Sequence, residues 1–262
     1  SRNQLLTPTT NTAPKTHDEV TVCRNLFTAI GESARKFLVS MYDYSELAPR
    51  MAALEAGARL EDPRTVAPLV EVARTAPQTP MRLTAIELLA RMRGNPNINF
   101  ALRELVDDPA LEVRIAAYEA LSELRDPAID RSVVPSPDPR QPLFVLEQVP
   151  SSTPMIYVTQ QGEPRIAIFG GQKFNAGGRA EGTPLKLSRP TLVSMWSDRL
   201  FINADAIGAV RVRFKDDRKN SVVETPAPEH LTDFIKFLAR RTTPEDPRPG
   251  LNLGFSEVVG VL

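Results

Sequence analysis

The sequence predicts a molecule in two parts, an N-terminal superhelix of paired α-helices followed by a small antiparallel β-rich module that one helix caps. Apolar residues recur at three- and four-residue spacing over 18–130, the helical pattern repeats with a fixed period, and alternation of apolar and polar residues begins after a proline-rich stretch. We therefore predict an α plus α+β, multi-domain architecture, with a flexible lead-in at 1–17, a helical domain at 18–133, a linker at 134–142 and the β-rich module at 143–262.

Composition and charge exclude several classes of protein. The 262 residues include 32 basic and 32 acidic side chains, and this balance argues against a basic surface for nucleic acid. The single cysteine, Cys23, and the two histidines, His17 and His230, exclude a disulfide framework and make a cysteine- or histidine-rich metal site unexpected. No apolar run approaches about 20 residues, so membrane insertion is not expected either.

The ends of the sequence suggest a piece of a longer protein. The chain starts at Ser1 rather than at a methionine, and it stops inside the apolar segment 257–262. A signal peptide could have preceded Ser1, so the sequence leaves the cellular compartment open.

The helical part is predicted to be a repeat. A first helix is expected from Asp18 to Tyr42, with a division into two helices at Gly31 as the alternative, and the segments that follow it resemble one another. A period in the thirties with two short amphipathic helices per unit is typical of an α-solenoid, in which each helix pair buries its apolar face by stacking on the next. A shift of 32 residues superimposes one arginine and one alanine per unit, namely Arg50, Arg82 and Arg114, and Ala53, Ala85 and Ala117.

Two segments of this part resemble a known repeat family. Asp107–Leu121 has an aspartate–proline turn, a valine–arginine pair and small alanines, as in the HEAT-repeat consensus, and Asp62–Val70 resembles a HEAT first helix. The resemblance implies an armadillo-like superhelix but no particular ligand, because such arrays serve as scaffolds, adaptors and a few lyases. We interpret the aligned arginines Arg50, Arg82 and Arg114 as packing between repeats against turn aspartates, with a binding role as the alternative; the predicted partners are Asp62, Asp107 and Asp126.

The β-rich module is predicted from alternation and turn signals. A first strand covers Phe144–Val149, and a short one is expected at Leu185–Leu187. The helix predicted from Glu229 to Arg240 has one apolar face. The strands would form a small roll or a partly open barrel, with a PH-like topology as one option. Three hairpins are expected, with strands at 155–160 and 165–169, at 191–196 and 200–203, and at 209–214 and 221–225.

Few segments indicate chemistry. The glycine-rich stretch Gly170–Gly182 contains a lysine and an arginine that could cradle phosphate, but it lacks the spacing of known phosphate-binding loops, so a mobile hairpin loop is preferred. Cys23 is interpreted as a core residue and His230 as a solvated residue of the last helix. Trp196 is predicted to be in the core, with a partner anchor as the alternative. No nucleophile, base and oxyanion donors assemble, so we predict a non-enzyme without cofactor or metal.

The β-rich module also resembles a second family. Pro154–Gln160, Pro164–Gly170 and Arg189–Trp196, with 237–245 and 253–260, are similar to a C-terminal region of divergent bacterial proteins grouped with the flagellar basal-body P-ring family. The resemblance implies a structural or assembly role in the periplasmic ring around the rod, without active-site residues. The core P-ring domain is not visible in this sequence, and ordinary P-ring proteins carry no HEAT array.

Together these observations predict a non-catalytic scaffold or structural component that binds other proteins. It is expected to be periplasmic if the P-ring resemblance holds and cytoplasmic otherwise. The alternative is a HEAT-like enzyme or a small-ligand-binding protein with a pocket between the two halves. Nucleic-acid binding through the repeat arginines is a third hypothesis, which the interleaved acidic residues weaken.

Overall fold

The structure is a computed structural model that describes residues 31, 33, 35–138, 140–216 and 220–262. Most of the predicted first helix Asp18–Tyr42, with Cys23 and His17, lies outside these residues; 35–41 are helical. No helix within the described ranges has the length and apolar character needed to cross a membrane. Five helices follow: α1 (Leu47–Arg59), α2 (Val66–Thr75), α3 (Thr79–Arg91), α4 (Pro96–Leu105) and α5 (Leu111–Glu123).

These helices stack as the predicted repeat. Helix α2 packs on α3, and α4 packs on α5, while α3 contacts both α1 and α5 and α2 contacts α4. The turns between units carry helix caps: the Asn95 side chain accepts from the Asn97 amide, and Pro63 and Pro96 occupy early helical positions. The aligned alanines are buried where second helices approach one another: Ala53, Ala85 and Ala117.

The second half contains two four-stranded sheets and one small hairpin. The first sheet has the order β1-β2-β4-β3, the second the order β10-β9-β8-β7, and β5 pairs with β6. The three predicted hairpins and the strand at Phe144–Val149 are confirmed. The elements are β1 (Asp130–Pro135), β2 (Pro142–Val149), β3 (Met155–Thr159), β4 (Arg165–Phe169), β5 (Gln172–Phe174), β6 (Ala180–Gly182), β7 (Thr191–Met195), β8 (Leu200–Ala204), β9 (Val210–Asp216), β10 (Ser221–Ala227), α6 (Leu231–Ala239) and α7 (Phe255–Val261).

Other details of the module differ from the prediction. Strands β2 and β4 run parallel, and two packed sheets replace the expected roll or barrel. The strand expected at Leu185–Leu187 is reduced to an isolated bridge between Lys186 and His230. The reason is that pairing partners are set by contacts between distant segments, which local alternation does not encode.

The two ends of the predicted linker 134–142 belong to paired strands. Val134 and Pro135 end β1, and Pro142 begins β2, the strand with which β1 pairs. The Ser136 hydroxyl bonds to the carbonyl oxygens of Asp138 and Gln141 between these strands. Because proline is tolerated at the ends of edge strands and in turns, a proline-rich stretch can close a hairpin as well as separate domains.

The first sheet forms the boundary between two hydrophobic cores. Val149 and Phe169 on one face pack against the helices, whereas Leu146 and Ile168 on the other face pack against the second sheet and α6. Strand β2 is therefore buried on both faces. The sheet covers the last helical pair, and it supplies the terminal cap that a short solenoid needs.

Candidate functional site

Two of the three aligned arginines join neighbouring repeats. The Arg50 guanidinium donates to Glu71 in α2 at 2.7 Å, and its Nε donates to the carbonyl oxygen of Tyr42. Arg82 repeats this arrangement, because its Nε donates to a carbonyl oxygen of α2 at 2.7 Å and its guanidinium pairs with Asp108 of the next unit. Both arginine side chains are largely buried. Their geometry favours the packing interpretation over a binding role.

Arg114 differs because it belongs to the last helical pair. Its Nε is buried and has no hydrogen-bond partner among the described residues. No further helical unit follows α5 to supply its acceptor, because the chain continues into the β-rich module. The turn aspartates also have partners other than the aligned arginines: Asp62 accepts from Arg64 and Tyr42, Asp107 from Ser151 and Ser152, and Asp126 from Asn99 and Arg103.

The Asp62 cluster has perturbed ionisation. Hydrogen bonds from the Arg64 guanidinium, and from its amide and the Tyr42 hydroxyl, lower the pKa of Asp62 against the opposing effect of burial. Burial, and then the charge of Asp62, raises the pKa of Tyr42 to about 12. The Tyr42 hydroxyl donates to Asp62 Oδ2 at 3.1 Å. The neutral phenol and the charged carboxylate are thus favoured together.

We expect this cluster to make stability depend on alkaline pH. The pKa of Tyr42 is raised by folding, so its contribution is complete below the ordinary tyrosine value of about 10 and is lost as the pH rises through about 12. The difference in unfolding free energy between the wild type and Tyr42→Phe should therefore shrink over that interval. Urea titrations at several pH values measure it, with Tyr44→Phe as the exposed control. A difference that stays constant with pH would contradict the prediction.

A buried glutamate connects the helices to the first sheet. Glu147 of β2 is 1% exposed; it accepts hydrogen bonds from the Tyr118 hydroxyl and, at 3.0 Å, from the Ser122 hydroxyl of α5. Guanidinium nitrogens of Arg131 and Arg165 lie 3.4 and 3.8 Å away. Burial, followed by the charge of Glu147, raises the pKa of Tyr118. The cluster therefore joins α5 of the helical part to β2 of the first sheet.

Arg103 organises a second contact between the halves. Its guanidinium forms a bidentate pair with Asp126, whose side chain is fully buried, and it lies between the rings of Phe100 and Phe174 at 5.2 and 5.7 Å. It also donates to the carbonyl oxygen of Gly178 at 2.7 Å. Gly178 has a φ of 70°, and a Cβ there would lie 2.3 Å from the Arg103 guanidinium, so this position requires glycine.

The glycine-rich stretch forms a hairpin, as predicted, and this hairpin is held against α4 through Arg103. It borders a cleft of about 840 Å³ between the two halves, which we call the interdomain cleft. The charged and titratable groups that line it are Arg103, Asp130, Arg179, His230, Asp233 and Lys236. Sequence reasoning singled out the glycine-rich stretch and His230, but it had no signal for their convergence with Lys236.

The surroundings of Trp196 and His230 differ in part from those that the sequence predicts. Trp196 lies just beyond β7 in a turn of positive φ, half-buried against the second core, with the Arg199 guanidinium 5.8 Å from its ring. His230 precedes α6 and is half-buried rather than solvated. Its Nδ1 is buried without a hydrogen-bond partner among the described residues.

A groove lies between the first helices α2 and α4. Its volume is about 620 Å³, and Val66, Ala67, Val70, Phe100 and Ala101 supply its apolar lining. The Phe100 side chain is 45% exposed. The rim charges are paired with one another, since Arg74 bonds to Glu104 and Glu71 to Arg50. We call this surface the first-helix groove. Among the described residues, no group of three or more His, Cys, Asp or Glu side chains could hold a metal ion.

Comparison with known families supports the prediction of helical repeats in the N-terminal part of the chain. Residues 66–131 match the family of HEAT repeats, which covers α2 to α5 and the beginning of β1. This confirms a HEAT-like region within the chain, and HEAT repeats generally mediate protein–protein interaction and are typically non-catalytic. No curated protein matches the chain. The P-ring resemblance of the second half therefore has no support.

Proposed function

We propose that this protein is a non-catalytic scaffold that binds a protein partner in the first-helix groove. The observation that carries the proposal is the apolar floor between α2 and α4, which no described segment of the chain covers. The opposite situation holds at the end of the solenoid, where the first sheet already covers α5 through Tyr118 and Phe169. The free interaction surface of this short array is thus on its first helices.

The chemistry of the groove indicates the kind of contact. Because the flanking charges already pair with one another, the groove presents an apolar surface with a neutral rim. Phe100 stands at its edge and also borders a second depression of about 520 Å³ beside the turns at Gly94 and Arg125. Such a surface suits a partner helix that inserts apolar side chains at helical spacing.

The finer predictions of assembly in a bacterial envelope, of a basal-body role and of periplasmic localisation stay predictions. They rest on the P-ring resemblance alone, and they are not needed for a scaffold.

The proposal is tested by changing the groove without changing the core. Ala67 is exposed within the groove, whereas Ala52 is exposed on α1 outside it. We expect the full chain to recover a defined protein from lysate of its source, and Ala67→Glu to reduce the recovered amount at least about tenfold, because a buried charge would face the apolar partner. Ala52→Glu should recover as much as the wild type. Equal recovery by both variants would contradict the proposal.

The interdomain cleft favours a second candidate function, the binding of a small ligand between the halves. It falls in the usual size range of ligand sites, about 300–1,000 Å³, and residues of both halves converge on it. In the same recovery experiment, a small molecule that co-purifies in place of a protein would favour this second function.

A further inference from the structure

A separate cavity lies under the C-terminal end of α6. It has a volume of about 610 Å³ and is bounded by β1, the start of β2, the last turn of α6 and the segment that leads to α7. This segment folds back on the helix, because the amides of Leu251 and Leu253 donate to the carbonyl oxygens of Phe237 and Leu238. The cavity is thus part of the folded module rather than a gap between domains. We call it the α6 cavity.

Four cations and two carboxylates line this cavity, so positive charge is in excess. Lys236, Arg240 and Arg241 line it, and none of the three forms a salt bridge with any residue that the structure describes. The carboxylates of the same cavity are already engaged: Asp246 pairs with Arg248 at 2.7 Å, and Glu257 accepts from the Gly254 amide at 2.9 Å. The cavity therefore has an excess of positive charge over the carboxylates that line it.

The remaining lining is part apolar and part polar: Val133 is 62% exposed on the apolar side, and Ser136, Thr243 and Asn252 are the polar residues. Val134, Ala239 and Leu253 are each buried to at least nine-tenths, and Leu143 packs beside them. An inorganic anion alone would pair with the cations but leave the exposed Val133 side chain in water. A neutral apolar molecule would fill the walls but leave the cations unpaired. The combination fits a molecule that carries an anionic group at one end and an apolar body at the other.

We propose that the α6 cavity binds a small organic anion with an apolar body, and that Arg240 and Arg241 hold its anionic group. Guanidinium groups suit this task because their planar donors match carboxylate and phosphate oxygens in pairs. Lys236 adds a third positive charge from the last turns of α6, and it also borders the interdomain cleft. The proposal is independent of the first-helix groove and of any protein partner.

The test is a titration of the full chain with decanoate in which calorimetry measures binding. Decanol, which lacks the anionic group, and inorganic phosphate, which lacks the apolar body, serve as the two partial probes. We expect decanoate to bind at least about tenfold more tightly than either partial probe, a difference that corresponds to about 1.4 kcal/mol. Arg241→Gln should weaken decanoate binding at least about fivefold, and the double variant Arg240→Gln, Arg241→Gln should abolish it. Arg213→Gln, on the exposed side of β9 and outside every cavity described above, should bind as the wild type does.

Several outcomes would overturn the proposal. They are the absence of decanoate binding to the wild type, equal binding of decanol, and binding that Arg241→Gln leaves unchanged. Because Arg241 is exposed and makes no side-chain hydrogen bond to a described residue, its replacement should leave the fold intact, and thermal unfolding verifies this. If decanoate binding is lost in Arg213→Gln as well, the interaction is a general charge effect and the α6 cavity is not its site.

Discussion

Replacement of Glu147 by alanine is expected to lower the free energy of unfolding by about 3–5 kcal/mol, the cost of breaking a buried charged network. The variant would leave the Tyr118 hydroxyl without its acceptor in the buried contact between α5 and the first sheet. It would also remove the carboxylate that lies 3.8 Å from Arg165 Nε, an atom without a hydrogen-bond partner among the described residues. Urea unfolding followed by far-ultraviolet circular dichroism measures the effect.

Glu119 provides the matched control for this variant. It also accepts a hydrogen bond from a tyrosine across the same contact, Tyr157 at 2.6 Å, but it is exposed. Water can replace that bond, so Glu119→Ala should cost only about 0.5–1 kcal/mol. If the two variants lose the same amount of stability, the buried network is not what joins the two halves.

Replacement of Asp126 by alanine is expected to cost a similar amount, about 3–5 kcal/mol, and to have a local consequence as well. Asp126 is the bidentate partner of Arg103 and also accepts from the side chain of Asn99 and the amide of Ala128. Without it, Arg103 loses the contact that aligns it with Gly178. We therefore expect faster amide hydrogen exchange in the β5–β6 hairpin, measured by mass spectrometry, in addition to weaker global stability.

A surface ion pair serves as the control here. Glu104 pairs with Arg74 on the exposed side of the first helices, and pairs of this kind contribute about 0–1 kcal/mol. Glu104→Ala should leave both the unfolding transition and the exchange of the hairpin nearly unchanged. Unaltered exchange in Asp126→Ala would show that the hairpin is held in place without Arg103.

Asp126→Ala also distinguishes the two proposed functions, partner binding in the first-helix groove and ligand binding in the interdomain cleft. The first-helix groove is lined by Pro63, Asn95 and residues of α2 and α4, and by no residue of the hairpin, so a change confined to the hairpin should leave partner recovery intact. The interdomain cleft is bordered by Arg103 and by residues of the hairpin. A ligand of the cleft should therefore be lost when the hairpin is released, even in molecules that remain folded.

Local patterns determined much of the architecture. The 32-residue period, with Ala53, Ala85 and Ala117 buried between helices, follows from apolar spacing and small residues, which act within one or two turns of a helix. The three hairpins follow from alternation on either side of short turns. The sequence also showed that Arg50 and Arg82 occupy equivalent positions of the repeat, but the acidic partners predicted for them were wrong.

The tertiary structure alone decided how the two halves meet. Strand β1 crosses the boundary between the predicted helical domain, which ends at 133, and the predicted linker, because among the described residues it pairs only with β2 and no local pattern signals that pairing. In the sequence, Glu147 has the pattern of an ordinary strand residue, and only the tertiary structure buries it against α5. Lys236, Arg240 and Arg241 have the pattern of solvated charges at a helix end, and only the tertiary structure places them around one cavity. Periodicity reports which face of an element is buried. The identity of its neighbour depends on long-range packing, which leaves no local signal.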